Sequence, residues 1–167
     1  MGLLDFLFSK KDDVQPQAPA KPAAPAVEFD PAFIATLKDE HEALVQRFVG
    51  VKNAYLAHDF ARVKEGLQEF QTALNLHLAV ENAKFYAYLR RHLPPGSAEL
   101  QTMNSFFDEM QEIGKVVTQF LRKYISADYT AEVQAAFGQE LEGIGAALLS
   151  RISREEKTLY TLYAPRA

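Results

Sequence analysis

Apolar residues recur every three or four positions between Pro31 and Tyr163, which is the spacing of an amphipathic α-helix. The pattern predicts four helices, at roughly 31–57, 60–92, 98–125 and 130–162. No run of alternating apolar and polar residues is long enough to predict a strand. Long helices joined by short loops favour an all-α fold, an antiparallel up-down-up-down four-helix bundle.

Capping residues and helix breakers separate the predicted helices. Asp30 is a good N-cap for the first helix, and Pro31 suits its first position. Asp59 can cap the second helix, which the sequence "PPG" at 94–96 ends, and Ser97 can cap the third.

The composition divides the chain into three parts. Residues 1–13 form a short amphipathic segment, and residues 14–29 are rich in proline and alanine. Such a composition is typical of an extended linker that has no core of its own. Residues 30–163 form the predicted bundle.

The second and fourth predicted helices end in related sequences. The segments "HLAVENAKFYAYL" and "RISREEKTLYTLY" begin at His77 and Arg151 and align without a gap. Glu81 then falls over Glu155. One copy therefore carries an imidazole where the other carries a permanent cation.

The first and third predicted helices are related in the same way. The segments "DEHEAL" and "DEMQEI" begin at Asp39 and Asp108, and they place His41 over Met110. The chain thus reads as two helical hairpins of similar design. Because the second and fourth helices of such a bundle run parallel, we expect six side chains to meet in one interior layer: His41, His77, Glu81, Met110, Arg151 and Glu155.

Four of these side chains are candidate metal ligands. His77 and Glu81 lie four residues apart and share one helix face, so both can point inward. With His41 and Glu155 they make two imidazoles and two carboxylates, a donor set that suits iron, manganese or zinc. From the residues alone, a satisfied polar pair in a helix core is the favoured explanation of His77 and Glu81.

These segments resemble the hemerythrin-like, or HHE cation-binding, family over about residues 31–163. The resemblance implies a four-helix bundle with two carboxylate-bridged non-haem irons, in proteins that carry or sense dioxygen, handle nitric oxide, or supply or sense iron. By position, it implies the metal ligands His41, His77, Glu81 and Glu155. The family has histidine at the positions of Met110 and Arg151 here.

The two substitutions fall on the second hairpin. In the family the histidines of that hairpin chiefly hold one of the two irons, so the resemblance implies a half-site, in which only the ligands of the other iron remain. We expect one ion, iron or alternatively manganese, or none, and we do not expect a diiron centre. The implied role is a non-enzymatic sensor or binding protein that responds to oxygen, nitric oxide or redox state.

Arg151 offers a physical replacement for the missing ion. Buried carboxylates need a cation, and a guanidinium carries five donors that suit them. We expect Arg151 to bridge Glu81 and Glu155, the alternative being that it extends along the fourth helix into solvent. Met110 is expected to fill the core.

Expectations for the neighbouring residues are simpler. Glu156 is expected to face water. Four tyrosines are expected to pack one end of the bundle, where one of them could hydrogen-bond to a metal ligand: Tyr86, Tyr88, Tyr160 and Tyr163.

Composition excludes several other classes of site. The chain has no cysteine, which excludes disulfides, thiolate chemistry and iron–sulfur clusters and fits a reducing cytoplasm. Its net charge of −4 gives no general attraction to nucleic acid. No apolar run approaches the roughly 20 residues of a membrane-spanning helix.

The first eleven residues, "MGLLDFLFSKK", resemble the membrane-targeting helix at the start of the bacterial division-site protein MinE. As a helix they place Leu3, Leu4, Leu7 and Phe8 on one face, with two lysines following. We expect this face to contact a membrane surface, on the inner side of the cell membrane, or else a protein partner.

A metal-free interaction module is the competing function. The segment "LQEFQTAL" (67–74) resembles the second helix of bacterial regulators that sequester the housekeeping sigma factor. That resemblance leaves His41 and the His77–Glu81 pair unexplained.

Deletion of residues 1–11 tests the membrane expectation. We expect the full chain to co-sediment with anionic vesicles and the truncated chain to stay in the supernatant, because the apolar face and Lys10 and Lys11 are removed together. Equal partition of the two proteins would contradict it.

Overall fold

The computed structural model describes residues 27–166, and within them every regular element is a helix. The helices are α1 (Phe33–Leu56), α2 (Phe60–Val80), α3 (Ala87–His92), α4 (Ala98–Ile125) and α5 (Ala131–Arg154). A π-helical turn, Glu81–Tyr86, joins α2 to α3, and another, Glu155–Leu159, continues α5 into a short 3₁₀ turn, Tyr160–Leu162. The predicted all-α four-helix bundle is confirmed, with α2, its π turn and α3 forming one of the four rods.

Side-chain caps set the starts of three helices. Asp59 accepts a hydrogen bond from the Arg62 amide at 3.0 Å, and Ser97 accepts one from Leu100 at 3.2 Å. The first helix starts later than expected, since Asp30 bonds the Ala32 amide in the preceding turn. The third capped helix is α5, which begins after Thr130.

Two apolar clusters fill the bundle, one toward each end. Leu44, Leu74 and Val117 belong to the first cluster, and Leu37 and Phe85 belong to the second. Complete burial of such a side chain contributes about 1.5–3 kcal/mol to folding. The clusters therefore supply the stability that lets the layer between them be polar.

Between the clusters lies a buried layer of charged and polar side chains. Its members are at most 5% exposed: His41, His77, Glu81, Arg151 and Glu155. Met110, which is also buried, lies on α4 between residues of the two clusters. All four rods of the bundle thus contribute side chains to the same level of the interior.

No helix within residues 27–166 is both long enough and apolar enough to cross a membrane.

Close packing of α1 on α2 depends on a glycine. A Cβ added to Gly66 would lie 2.9 Å from Cγ2 of Val51, a side chain that is only 1% exposed. Valine in a helix has one strongly preferred rotamer, so it cannot easily move aside. Gly143, in contrast, has no atom near its added Cβ.

These two glycines make a matched pair of substitutions. Gly66→Ala should lower the free energy of unfolding by about 1–2 kcal/mol because the helices must separate. Gly143→Ala should raise it by about 0.5–1 kcal/mol through helix propensity alone. Urea denaturation of both variants measures the difference, and a stabilising Gly66→Ala would contradict the packing described.

Candidate metal centre

The two π turns begin at the two buried glutamates, Glu81 and Glu155. In an α-helix, a residue five positions further on would point about 140° away. A π turn spaces its hydrogen bonds by five residues, so it brings positions i and i+5 onto nearly the same face. Tyr86 and Tyr160, each five residues after a glutamate, thereby reach the polar layer.

The two imidazoles of the layer lie side by side. His41 on α1 and His77 on α2 have ring centroids 4.7 Å apart. His41 Nδ1 lies 3.0 Å from Glu156 Oε1, and His77 Nδ1 lies 2.8 Å from Glu40 Oε2. Both Nδ1 atoms are thus held by carboxylates, which leaves each Nε2 as the nitrogen available for another partner.

The inner nitrogens differ in their contacts. His41 Nε2 lies 3.3 Å from Glu155 Oε2 and 3.2 Å from the Tyr160 hydroxyl. Among the described residues, His77 Nε2 has no hydrogen-bond partner. Burial lowers the pKa of His77. For His41 burial acts in the same direction, but the hydrogen bonds to Glu155 and Glu156 outweigh it and raise the pKa.

Arg151 is completely enclosed, with an exposure of 2%. Its Nε donates to Glu155 Oε1 at 2.6 Å, its Nη1 to Glu109 Oε2 at 3.0 Å and its Nη2 to the Tyr86 hydroxyl at 3.3 Å. Its guanidinium carbon also lies 4.7 Å from the centre of the Phe106 ring. The alternative that Arg151 extends into solvent is therefore wrong.

The expected bridge from Arg151 to Glu81 is also wrong. The guanidinium joins Glu155 to Glu109, a residue of α4, while Glu81 accepts a hydrogen bond from the Tyr160 hydroxyl at 3.2 Å. The reason is that Glu109 reaches the guanidinium from the rim of the layer, where its side chain is still 38% exposed. A carboxylate that stays partly hydrated loses less solvation on pairing than a second buried one.

The contacts of Glu40 and Glu109 were missed from the sequence, although a signal was present. In the alignment of "DEHEAL" with "DEMQEI", Glu40 aligns with Glu109. In the alignment of the second and fourth helices, His77 aligns with Arg151. In each hairpin, the glutamate of the first helix holds the nitrogen-bearing side chain of the second. The repeat therefore covers the outer partners as well as the layer itself.

Glu156 departs from the expectation that it faces water. Its side chain is 30% exposed, but its carboxylate bonds His41. The π turn that starts at Glu155 changes the direction of the following side chains, and the sequence gives no sign of that change.

The two buried glutamates are in different electrostatic states. Burial raises the pKa of Glu81 to about 7, and the negative charge of Glu155 adds to the effect. Burial acts on Glu155 as well, but the hydrogen bond from His41 and the charge of Arg151 together hold its pKa below the ordinary value. Glu81 is therefore the carboxylate of the layer that lacks a full counter-charge.

The donor set fits one metal ion better than two. As the side chains stand, residues 27–166 contain no group of three His, Asp or Glu arranged to hold an ion. On the imidazole side, His41, His77 and Glu81 offer nitrogen and oxygen donors, and Glu81 lacks a full counter-charge. On the other side, Met110 offers only a thioether, and Arg151 already supplies a positive charge.

An apolar cavity of about 70 Å³ reaches this layer from the surface between α1 and α5. Val49 and Leu149, which are 42% and 54% exposed, line its outer part. His41, His77 and Arg151 line its inner part. The cavity is several times larger than the space that one water needs.

The remaining candidate residues, Leu3, Leu4, Leu7 and Phe8, lie outside the described part of the chain.

Comparisons with known proteins bear on the same residues. The family model for the hemerythrin HHE cation-binding domain matches residues 25–163. Neither the search of curated proteins nor the search of solved structures gave a match.

Replacement of Arg151 tests its role in the layer. Arg151→Ala should lower the free energy of unfolding by about 3–5 kcal/mol, because it leaves Glu155 buried without its cation. Arg154→Ala is the matched control, since Arg154 also pairs with Glu109 but is half exposed. It should cost no more than about 1 kcal/mol. Equal midpoints of urea denaturation for the two variants would contradict this account.

Proposed function

The chain belongs to the hemerythrin HHE cation-binding domain family, and we propose that it is a non-enzymatic member that binds a single metal ion. The ion is iron, with manganese as the alternative. His41, His77, Glu81 and Glu155 would hold it. Arg151 takes over the charge of the second ion that two-metal members of such a family hold.

The orientation of the two imidazoles carries this proposal. A metal-binding histidine almost always donates its other ring N–H to a carboxylate, a backbone carbonyl or water, which fixes the ring and strengthens the ligand. Glu40 and Glu156 make this contact with His77 and His41. A pair of histidines buried only for packing does not require a carboxylate behind each ring.

Charge supports the choice of a single ion. Glu155 is already paired with Arg151, whereas Glu81 has only the hydrogen bond from Tyr160. A divalent ion beside Glu81 would supply the missing counter-charge and lower the pKa of that carboxyl. A second ion would have to displace the guanidinium from both of its carboxylates.

The cavity supports a sensing role. Its walls are mainly aliphatic and aromatic side chains, among them Leu44, Phe48 and Leu148, so it suits a small apolar molecule such as dioxygen or nitric oxide. Iron in the site would supply an open coordination position for such a ligand. The protein's residues would admit the ligand, exclude bulk water and hold the imidazoles in place.

A metal-free interaction module is the second candidate, and the Arg151 network favours it. The guanidinium of Arg151 neutralises the charge of Glu155 and also binds Glu109. The arginine side of the layer therefore needs no metal ion in order to fold. On this alternative, burial would keep Glu81 partly protonated at neutral pH, and the bundle would act through its surface, as sigma-factor-binding bundles do.

Metal analysis of untagged protein separates the two. After incubation with ferrous ion and desalting, we expect one iron per chain. His77→Ala should lose it, and His58→Asn should keep it, because His58 lies in the α1–α2 turn at φ 56°, a conformation that asparagine tolerates. Wild-type protein that binds no iron, and whose free energy of unfolding is the same with and without ferrous ion, would favour the interaction module.

A double substitution tests the half-site directly. Met110→His combined with Arg151→His should raise the iron content from one to two ions per chain, because it returns a nitrogen donor to α4 and α5. The single variant Met110→Leu, which keeps the apolar volume, is the control and should stay at one. A double variant that folds and still binds one ion would contradict the assignment of the lost site.

A further inference from the structure

Tyr160 lies where the proposed ligands converge. Its hydroxyl is 3.2 Å from His41 Nε2 and 3.2 Å from Glu81 Oε1, and its side chain is 3% exposed. Its ring stacks on the His41 ring at 5.5 Å between centroids, with 8° between the planes. The phenol oxygen thus contacts two of the four proposed ligands at the same time.

Tyr86 is the equivalent residue of the other hairpin. Both tyrosines follow their glutamate by five residues, and both are brought inward by a π turn. Their hydroxyls have different partners, since that of Tyr86 accepts a hydrogen bond from Arg151 at 3.3 Å. One phenol therefore belongs to the arginine side of the layer and the other to the imidazole side.

We propose that Tyr160 is itself a ligand of the ion, through its phenolate oxygen, and this rests on the proposed function. A phenolate is a hard, anionic donor, and tyrosine is an established protein ligand of haem iron. Arg151 occupies Oε1 of Glu155 and leaves only Oε2 on the His41 side, so a further anionic oxygen from Tyr160 completes the donors around one ion.

The binding step is a ligand exchange with a simple balance. The Tyr160 O–H bond breaks, an oxygen–metal bond forms in place of the bond to a water or citrate oxygen, and the proton leaves to solvent, as is usual when protein ligands take up a metal. The oxidation state of the ion does not change. In the metal-free protein the same hydroxyl donates a hydrogen bond to Glu81, which keeps the oxygen in position.

Ferric ion is the probe, since a phenolate bound to ferric iron absorbs visible light by charge transfer. Full-length protein is titrated with ferric citrate and desalted, and the iron content and visible spectrum are then measured. We expect a band that saturates at one iron per chain, with phenolate vibrations in its resonance Raman spectrum. Tyr160→Phe should lose the band, and Tyr86→Phe, the matched control, should keep it.

The outcomes separate this proposal from the proposed function. Stoichiometric iron in wild-type protein without the band, or a band that survives in Tyr160→Phe, would overturn the role of Tyr160 and leave the single-ion site standing. Failure of wild-type protein to bind ferric iron, ferrous iron or manganese would overturn both. If Tyr160→Phe does not fold, the Raman spectrum of Tyr86→Phe decides, because phenolate vibrations that persist in that variant cannot come from Tyr86, and their absence would overturn the role of Tyr160.

Discussion

The ion pair between Arg151 and Glu155 is the constraint on which the interior of this bundle depends. Two carboxylates lie at the same level of an apolar core, and neither could remain charged there without a cation. The guanidinium supplies that charge for Glu155 and binds Glu109 at the rim. The apolar clusters on both sides exclude water, which strengthens the pair and makes the loss of either partner costly.

The internal repeat explains how one layer can hold two different chemistries. Each hairpin supplies a glutamate on its first helix, a nitrogen-bearing residue on its second, a buried glutamate one turn on, and a tyrosine after a π turn. In the first hairpin the nitrogen is an imidazole that can bind an ion, and in the second it is a guanidinium that cannot. Met110 likewise stands where the first hairpin has His41, so the second hairpin offers no imidazole donor to this layer.

Much of this could be predicted from the sequence, because helical periodicity and repeat spacing are local properties. The bundle and the burial of His41, His77 and Arg151 follow from them. The pairing of Arg151 with Glu109 could not be predicted, because it depends on which carboxylate can stay partly hydrated while it reaches the guanidinium. The π turns were also missed. They add one residue to a helical turn without any change in residue type, and they redirect Glu156 and Tyr160.

The most direct test of the account is anomalous diffraction at the iron edge from crystals of the iron-loaded protein. We expect one anomalous peak per chain, within bonding distance of His41 and His77, and a guanidinium of Arg151 that remains hydrogen-bonded to Glu155. Two peaks, or one peak at the position of a displaced Arg151 side chain, would contradict the claim that a guanidinium has replaced the second ion.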